Sequence, residues 1–191
     1  IFYKNLYGPD DIIYKLNNYN FRCDNFKDDS YNNPYRILFM GCSFTFGIGL
    51  PLHDVWAKIM HERICTELNQ DIPYWNLAWG GSGTDQMYRY LYHLGPKLRP
   101  QIIISLTSFL ERRELFANNG EFLPNHKPDE VSKKEFHSYI QVLTEKKLVR
   151  YLTEKNFASI NMLLEKWNCL MLSFPIDYQF DFSNIQLSNI K

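Results

Sequence analysis

The residues with the clearest chemical potential sit in one short turn, Gly41-Cys42-Ser43-Phe44-Thr45-Phe46-Gly47. It follows the apolar run Ile37-Leu38-Phe39-Met40, so a hydroxyl and a thiol stand where a buried segment reaches the surface. Gly41 permits close backbone approach and positive φ. Ser43 then lies at the head of a new element, where unpaired backbone N–H groups point outward. A serine placed there can attack an ester carbonyl, and the N–H groups can hold the oxyanion that forms. The plain alternative is a capping serine, a favoured residue at helix starts. A phosphate loop fits less well: no GxxxxGK[ST] is present, and Gly47-x-Gly49 lacks the third glycine of GxGxxG. Cys42 is a second candidate nucleophile. As the neighbour of Ser43 in a tight turn it is expected to point into the sheet as a buried thiol.

A serine hydroxyl needs a base before it becomes a strong nucleophile. The five histidines are His53, His61, His93, His126 and His137. His61 and His93 fall within helical patterns, where a solvated imidazole is the ordinary expectation. His126 lies in a loop from which it can approach a site as part of a lid. Glu111-Arg112-Arg113-Glu114 reads as a solvated helix start, although Arg112 also follows a strand end, where a guanidinium can hold an anionic or sugar substrate. Trp79 can stack on a sugar, with core packing the competing role. No His/Asp/Cys cluster has ligand spacing, so neither a metal nor another cofactor is expected.

These groups need a scaffold, and the chain supplies an alternation of strand and helix signals. Residues 1–35 are rich in Asn, Asp and Tyr without sustained periodicity and read as an irregular N-terminal arm lying on a domain over 36–191. The run 36–40 suits a strand buried on both faces. Asp54 can cap a helix over 55–69, in which Val55, Ile59, Ile64 and Leu68 recur near the helical period. A second strand spans 74–79. Thr84 or Asp85 can cap a helix carrying Met87, Tyr90, Leu91 and Leu94, with Gly95-Pro96 as its stop. The third strand spans 101–106. A loop or lid over 117–131, a capping box at Ser132 and Glu135, and helices over 133–150 and 152–167 follow. The fourth strand is 169–174, and the alternating residues 180–187 suit a fifth.

Such alternation implies a three-layer α/β/α fold with a parallel sheet of four to five strands. In open α/β sheets ligands bind at the carboxyl ends of the strands. The turns 41–47, 79–85 and 107–113 are therefore expected to meet.

Composition agrees with one globular domain. The chain has 191 residues, 45% hydrophobic and 22% charged, with zero formal net charge, which supplies no argument for nucleic acid or an anionic membrane as partner. Apolar runs such as 102–106 are far too short to span a bilayer. Cys23, Cys42, Cys65 and Cys169 show no CxxC spacing and read as free thiols of a reducing compartment. With no signal peptide visible, a cytoplasmic or virion-associated protein is expected. The chain starts without Met and ends soon after a strand-like run, so residues missing on either side are expected.

The two glycine-rich turns together resemble the SGNH/GDSL hydrolase family. Its first block is a GDS turn after the first strand, often with an FTxG-like continuation, matched here by residues 41–47. Its second block supplies a glycine N–H to the oxyanion hole. Asn76-Leu77-Ala78-Trp79-Gly80-Gly81-Ser82-Gly83-Thr84-Asp85-Gln86 is similar to it, with Gly81 at the matching glycine. Asn20-Phe21-Arg22 resembles an N-terminal extension of some members. The resemblance covers about 20–115. It implies a flavodoxin-like SGNH fold, Ser43 as nucleophile, and the N–H groups of Ser43 and Gly81 as oxyanion donors. It also implies a small ester or acylated carbohydrate as substrate. Cys42 replaces the acidic residue of the first block. The stretch Thr107-Ser108-Phe109-Leu110-Glu111-Arg112-Arg113 after the third strand holds no Asn, so Thr107 or Ser108 would have to donate instead. No DxxH follows Trp167, so the Asp and His are expected beyond Lys191. The alternative is a degenerate member serving as a binding or structural module. An AT-rich, virus-like genome is suggested by the Asn, Tyr and Lys content, and either role would there serve attachment to a host surface from a virus particle.

Overall fold

The computed structural model describes residues 2–3, 12–26, 32–116, 122–123, 145–176 and 188–190. A short antiparallel pair, β1 (Phe2–Tyr3) and β2 (Ile12–Ile13), opens the chain. Then come β3 (Ile37–Gly41), α1 (Ser43–Phe46), α2 (Trp56–Leu68), β4 (Tyr74–Asn76), α3 (Thr84–Leu98) and β5 (Ile102–Thr107). A small hairpin pair, β6 (Leu115–Phe116) and β7 (Phe122–Leu123), precedes α4 (Lys146–Trp167) and β8 (Leu170–Pro175). The central sheet is four-stranded in the order β4-β3-β5-β8, and every pairing is parallel. This is the flavodoxin-like order, whose switch point lies between β3 and β5.

The period-two geometry of β3 explains its unbroken apolar run. Ile37 and Phe39 pack with Ile104 against Val55, Ala57 and Ile64 on the α2 side. Leu38 and Met40 pack with Ile103 and Met171 against Met87 and Leu91 of α3 and Phe157, Ile160 and Leu164 of α4. Helices thus cover both faces, and the fold is three-layer α/β/α.

Several element limits differ from those expected. Asp54 does not cap α2. It closes a 3-10 turn, Leu52–Asp54, and Val55 takes the N-cap position without a side-chain bond. Pro96 does not stop α3, which runs on to Leu98. The bond it forfeits lies on an exposed side of the last turn, beside exposed Tyr92. Gly95 serves packing instead: a Cβ there would run into the Trp167 ring. The last helix is continuous across 151, because no breaker separates Arg150 from Leu152. Glu145 caps it, its carboxylate accepting from Leu148 N–H at 2.8 Å. The expected fifth strand at 180–187, the capping box at Ser132 and most of the 117–131 loop lie outside the described residues. Ile190 adds a parallel bridge to Met171.

Among the described residues of the N-terminal segment, Tyr14, Phe21 and Arg22 are buried. No described helix is long and apolar enough to cross a membrane. The thiols of Cys23 and Cys169 are each pushed up to about 12 by burial, which leaves them protonated and unreactive at neutral pH.

His61, expected in solvent, is buried at 7% exposure. Its Nε2 lies 2.6 Å from Ile72 O, its ring stacks on Tyr74, and its Nδ1 is buried without a partner. Nε2–H therefore donates and the ring is neutral. Burial holds its pKa below the ordinary 6.5, although the bond to Ile72 opposes the shift. The unfolded chain takes up a proton at a pH where the folded chain does not. Stability is therefore complete above the ordinary imidazole range and declines as pH falls below it. Urea unfolding at about pH 7.5 and about pH 5 should show this loss, and His61→Phe should flatten it. An equal loss in the variant would rule His61 out as the cause.

Candidate active site

Three turns converge at the carboxyl ends of β3 and β5. The first leaves β3 through Gly41, whose φ is +149°. Cys42, in extended conformation, precedes α1, and its carbonyl accepts from the N–H groups of Thr45 and Phe46 at 3.0 and 2.9 Å. The N–H groups of Ser43 and Phe44 stand ahead of those first helical bonds. Ser43 is half-buried, and its Oγ lies 3.9 Å from Cys42 Sγ. Cys42 itself is buried, as its place in the turn led us to expect.

The second turn follows β4. After Asn76 the chain leaves regular pairing but stays tied to β3: Leu77 N–H donates to Phe39 O at 2.9 Å and Trp79 N–H to Gly41 O at 3.3 Å. Asn76 adds a side-chain tie, its Nδ2 donating to Thr45 O at 2.8 Å while its Oδ1 accepts from Ala78 N–H at 3.0 Å. Ser82 N–H closes a turn on Trp79 O at 3.2 Å, with Gly81 at φ +80°. That is the third position of a turn that calls for glycine. The Gly81 N–H is not used by the turn's own bond. Ser82 Oγ and Gln86 Oε1 are hydrogen-bonded, and Gln86 Nε2 donates to Tyr90 OH.

The third turn follows β5. It starts beside the first, for Gly41 pairs with Leu106 of β5 so tightly that a Cβ on Gly41 would stand 2.8 Å from Leu106 O. It packs against the second turn directly: a Cβ on Gly83 would overlap the Arg112 backbone. Arg112 Nη1 donates to Ser108 Oγ at 2.8 Å and its guanidinium covers the Phe109 ring. Arg113 is buried and Glu114 bonds Arg89 in a two-oxygen pair, so this stretch is a fixed turn rather than the solvated helix start its charges suggest. Arg113 Nη2 donates to Val149 O and Thr153 Oγ1, and Nη1 to Thr84 Oγ1. Asp85 accepts from Glu114 N–H and Asn156 Nδ2.

The residues singled out in sequence fall as follows. Ser43 and Gly81 stand on adjoining turns joined by the Trp79–Gly41 bond. Thr107 is fully buried, its Oγ1 held 2.7 Å from Ser173 Oγ and 3.3 Å from Ser105 Oγ, so it ties neighbouring strands of the sheet together. Ser108 is buried and serves as acceptor for Arg112, which is half-exposed. Trp79 packs edge-on against Phe46, 5.5 Å between centroids, within a small aromatic cluster with Tyr14. Among the described residues no imidazole hydrogen-bonds Ser43. His53 and His93 are exposed, and His126 and His137 lie outside those residues. Asn76 and Asp85, which tie these turns to one another and to the last helix, were not singled out for that role. A lone Asn in the strand Tyr74-Trp75-Asn76-Leu77 was the one available signal, since a buried amide must find partners.

No protein-family model and no curated protein matches the chain. Solved structures do match it, GDSL-like lipases among them. TesA matches with 14% identity and a TM-score of 0.46, covering 72% of this chain and 58% of TesA. The esterase EstA from Pseudoalteromonas matches with 18% identity and a TM-score of 0.44, over 81% of this chain and 68% of EstA. The acetyl xylan esterase AlAXEase matches with 16% identity and a TM-score of 0.46, over 81% of this chain and 66% of that enzyme. The chain thus spans less than two thirds of the length of TesA and of AlAXEase.

Proposed function

We propose that this chain is a serine ester hydrolase of the SGNH/GDSL kind, with Ser43 as nucleophile. The observation that carries the reading is the docking of the Gly80-Gly81 turn on the Ser43 turn through Trp79 N–H and Gly41 O. It sets two glycine-bearing turns side by side at the carboxyl end of a parallel sheet, the end at which ligands of such sheets bind. In the proposed reaction Ser43 Oγ attacks the ester carbonyl carbon, and its proton passes to a base. The carbonyl oxygen becomes an oxyanion held by the N–H groups of Ser43 and Gly81. The alcohol leaves with a proton, and water then cleaves the acyl–serine bond to release the acid. The substrate class is a small ester or an acylated carbohydrate. Arg112 and Ser108 line the adjoining turn.

The test is covalent labelling. The full-length protein is incubated with a fluorophosphonate probe and digested, and the modified peptide is sequenced. Labelling at Ser43, absent in Ser43→Ala, is the expected result. An unlabelled wild-type protein would sink the proposal. It would favour the second reading, a binding module that keeps the fold without turnover. That reading draws on the contact of Ser43 Oγ with Cys42 Sγ, no imidazole bonding Ser43 among the described residues.

A further inference from the structure

Arg22 is 2% exposed and among the largest fully buried side chains. A guanidinium in such a place must spend its donors on partners, because burying a charge without them is costly. Among the described residues its bonds run to one stretch of backbone. Nη1 donates to Phe46 O at 3.0 Å and Gly47 O at 2.7 Å, and Nη2 donates to Leu50 O at 2.8 Å. The Tyr14 ring lies under the guanidinium at 4.6 Å, and the Tyr14 hydroxyl accepts from Gly49 N–H at 2.7 Å. Four backbone groups between 46 and 50 are thus held by two side chains of the N-terminal segment. Burial lowers the Arg22 pKa, but the group stays charged, facing carbonyls at the helix end where a cation is favoured.

The stretch held in this way begins where α1 ends, and α1 begins with Ser43. A single helical turn cannot hold its own shape, since nucleation costs more than one turn of bonds returns. Its carboxyl end is pinned by Arg22 and Tyr14, its middle by Asn76 at Thr45 O, and its start by the Cys42 carbonyl. Gly47 is packed so closely that a Cβ there would meet Val55 and the Arg22 guanidinium.

We infer that Arg22 and Tyr14 are positioning residues for Ser43, aiming its hydroxyl by holding the far end of the one-turn helix it heads. The inference rests on the hydrolase reading above. Its test compares wild type, Tyr14→Phe, Arg22→Lys and Arg22→Met as full-length proteins. For each, the saturating rate of Ser43 phosphonylation and the half-saturating probe concentration are measured, with thermal unfolding as a check on folding. A misaimed nucleophile should lower the saturating rate about 10²-fold in Arg22→Met. Loss of the single hydroxyl in Tyr14→Phe should lower it about 10-fold. Arg22→Lys, which keeps the charge and loses the fork, should fall between wild type and Arg22→Met. The half-saturating concentration should hold steady, which a general loosening of the fold would not give. Tyr14→Phe keeps the ring under Arg22 and decides the matter if Arg22→Met fails to fold. Cooperative unfolding with wild-type rates in Tyr14→Phe and Arg22→Lys would overturn the inference alone. An unlabelled wild type would overturn the hydrolase reading and this inference with it.

Discussion

Replacing Arg113 by methionine is expected to lower the stability of the fold by about 3 kcal/mol or more. The side chain is 3% exposed, and its Nη1 lies 3.8 Å from an Asp85 oxygen. Methionine fills much of the volume but supplies no donor. Val149 O and Thr153 Oγ1 would lose their bonds at 2.9 and 3.2 Å, and Asp85 would keep its charge without its cation. Asp85 retains Asn156 Nδ2 and Glu114 N–H and is a quarter exposed, which places the cost toward the lower end of the range for broken buried pairs. Urea unfolding measures it directly, and a double-mutant cycle with Asp85→Asn isolates the pairwise share. A loss below about 1 kcal/mol would show the pair to be immaterial to the fold.

Gly41→Ala is expected to act on the fold and on the nucleophile together. The φ of +149° is one that L side chains rarely adopt, and the new methyl would press on Leu106 O and the Thr45 side chain. Strained backbone costs about 1–3 kcal/mol and overpacking a similar amount, so a loss of about 2–5 kcal/mol follows. Leu106 O belongs to β5 and cannot swing aside as a side-chain tip could. Relief therefore comes from moving residues 41–43, and Ser43 labelling should fall in whatever fraction stays folded. Thermal unfolding and probe labelling on one preparation read both effects. Wild-type behaviour in both would mean the turn has slack that its geometry denies.

The sheet was legible because its strands are buried on both faces, so Ile37–Met40 and Ile102–Leu106 read as continuous apolar runs between breakers. The turns were legible because glycine has few local meanings: Gly41 and Gly81 both take positive φ. What escaped the sequence is whatever depends on distant partners. Arg113 looked like one charge in a solvated run, yet its partners Thr84 and Thr153 lie 29 and 40 positions away. Arg22 looked like part of an irregular arm, and its carbonyl partners lie 24 to 28 positions ahead. His61 looked like a surface group because its helix pattern shows only the period, whereas its burial is set by Ile72, in the connection after its helix, and by Tyr74 of β4. Gly95 looked like a helix stop because the ring that needs its bare Cα, that of Trp167, lies in the last helix.

The bond from Trp79 N–H to Gly41 O has a use that does not depend on any substrate. It spans the two turns whose docking matters most, and its donor is a single backbone amide with its own resonance. Its exchange with deuterium reports how often the turns part, a free energy of local opening rather than of global unfolding. That number can be followed for any variant, ligand or pH, including in a protein whose Ser43 has been removed. An inert molecule would therefore still reveal how well its site is assembled.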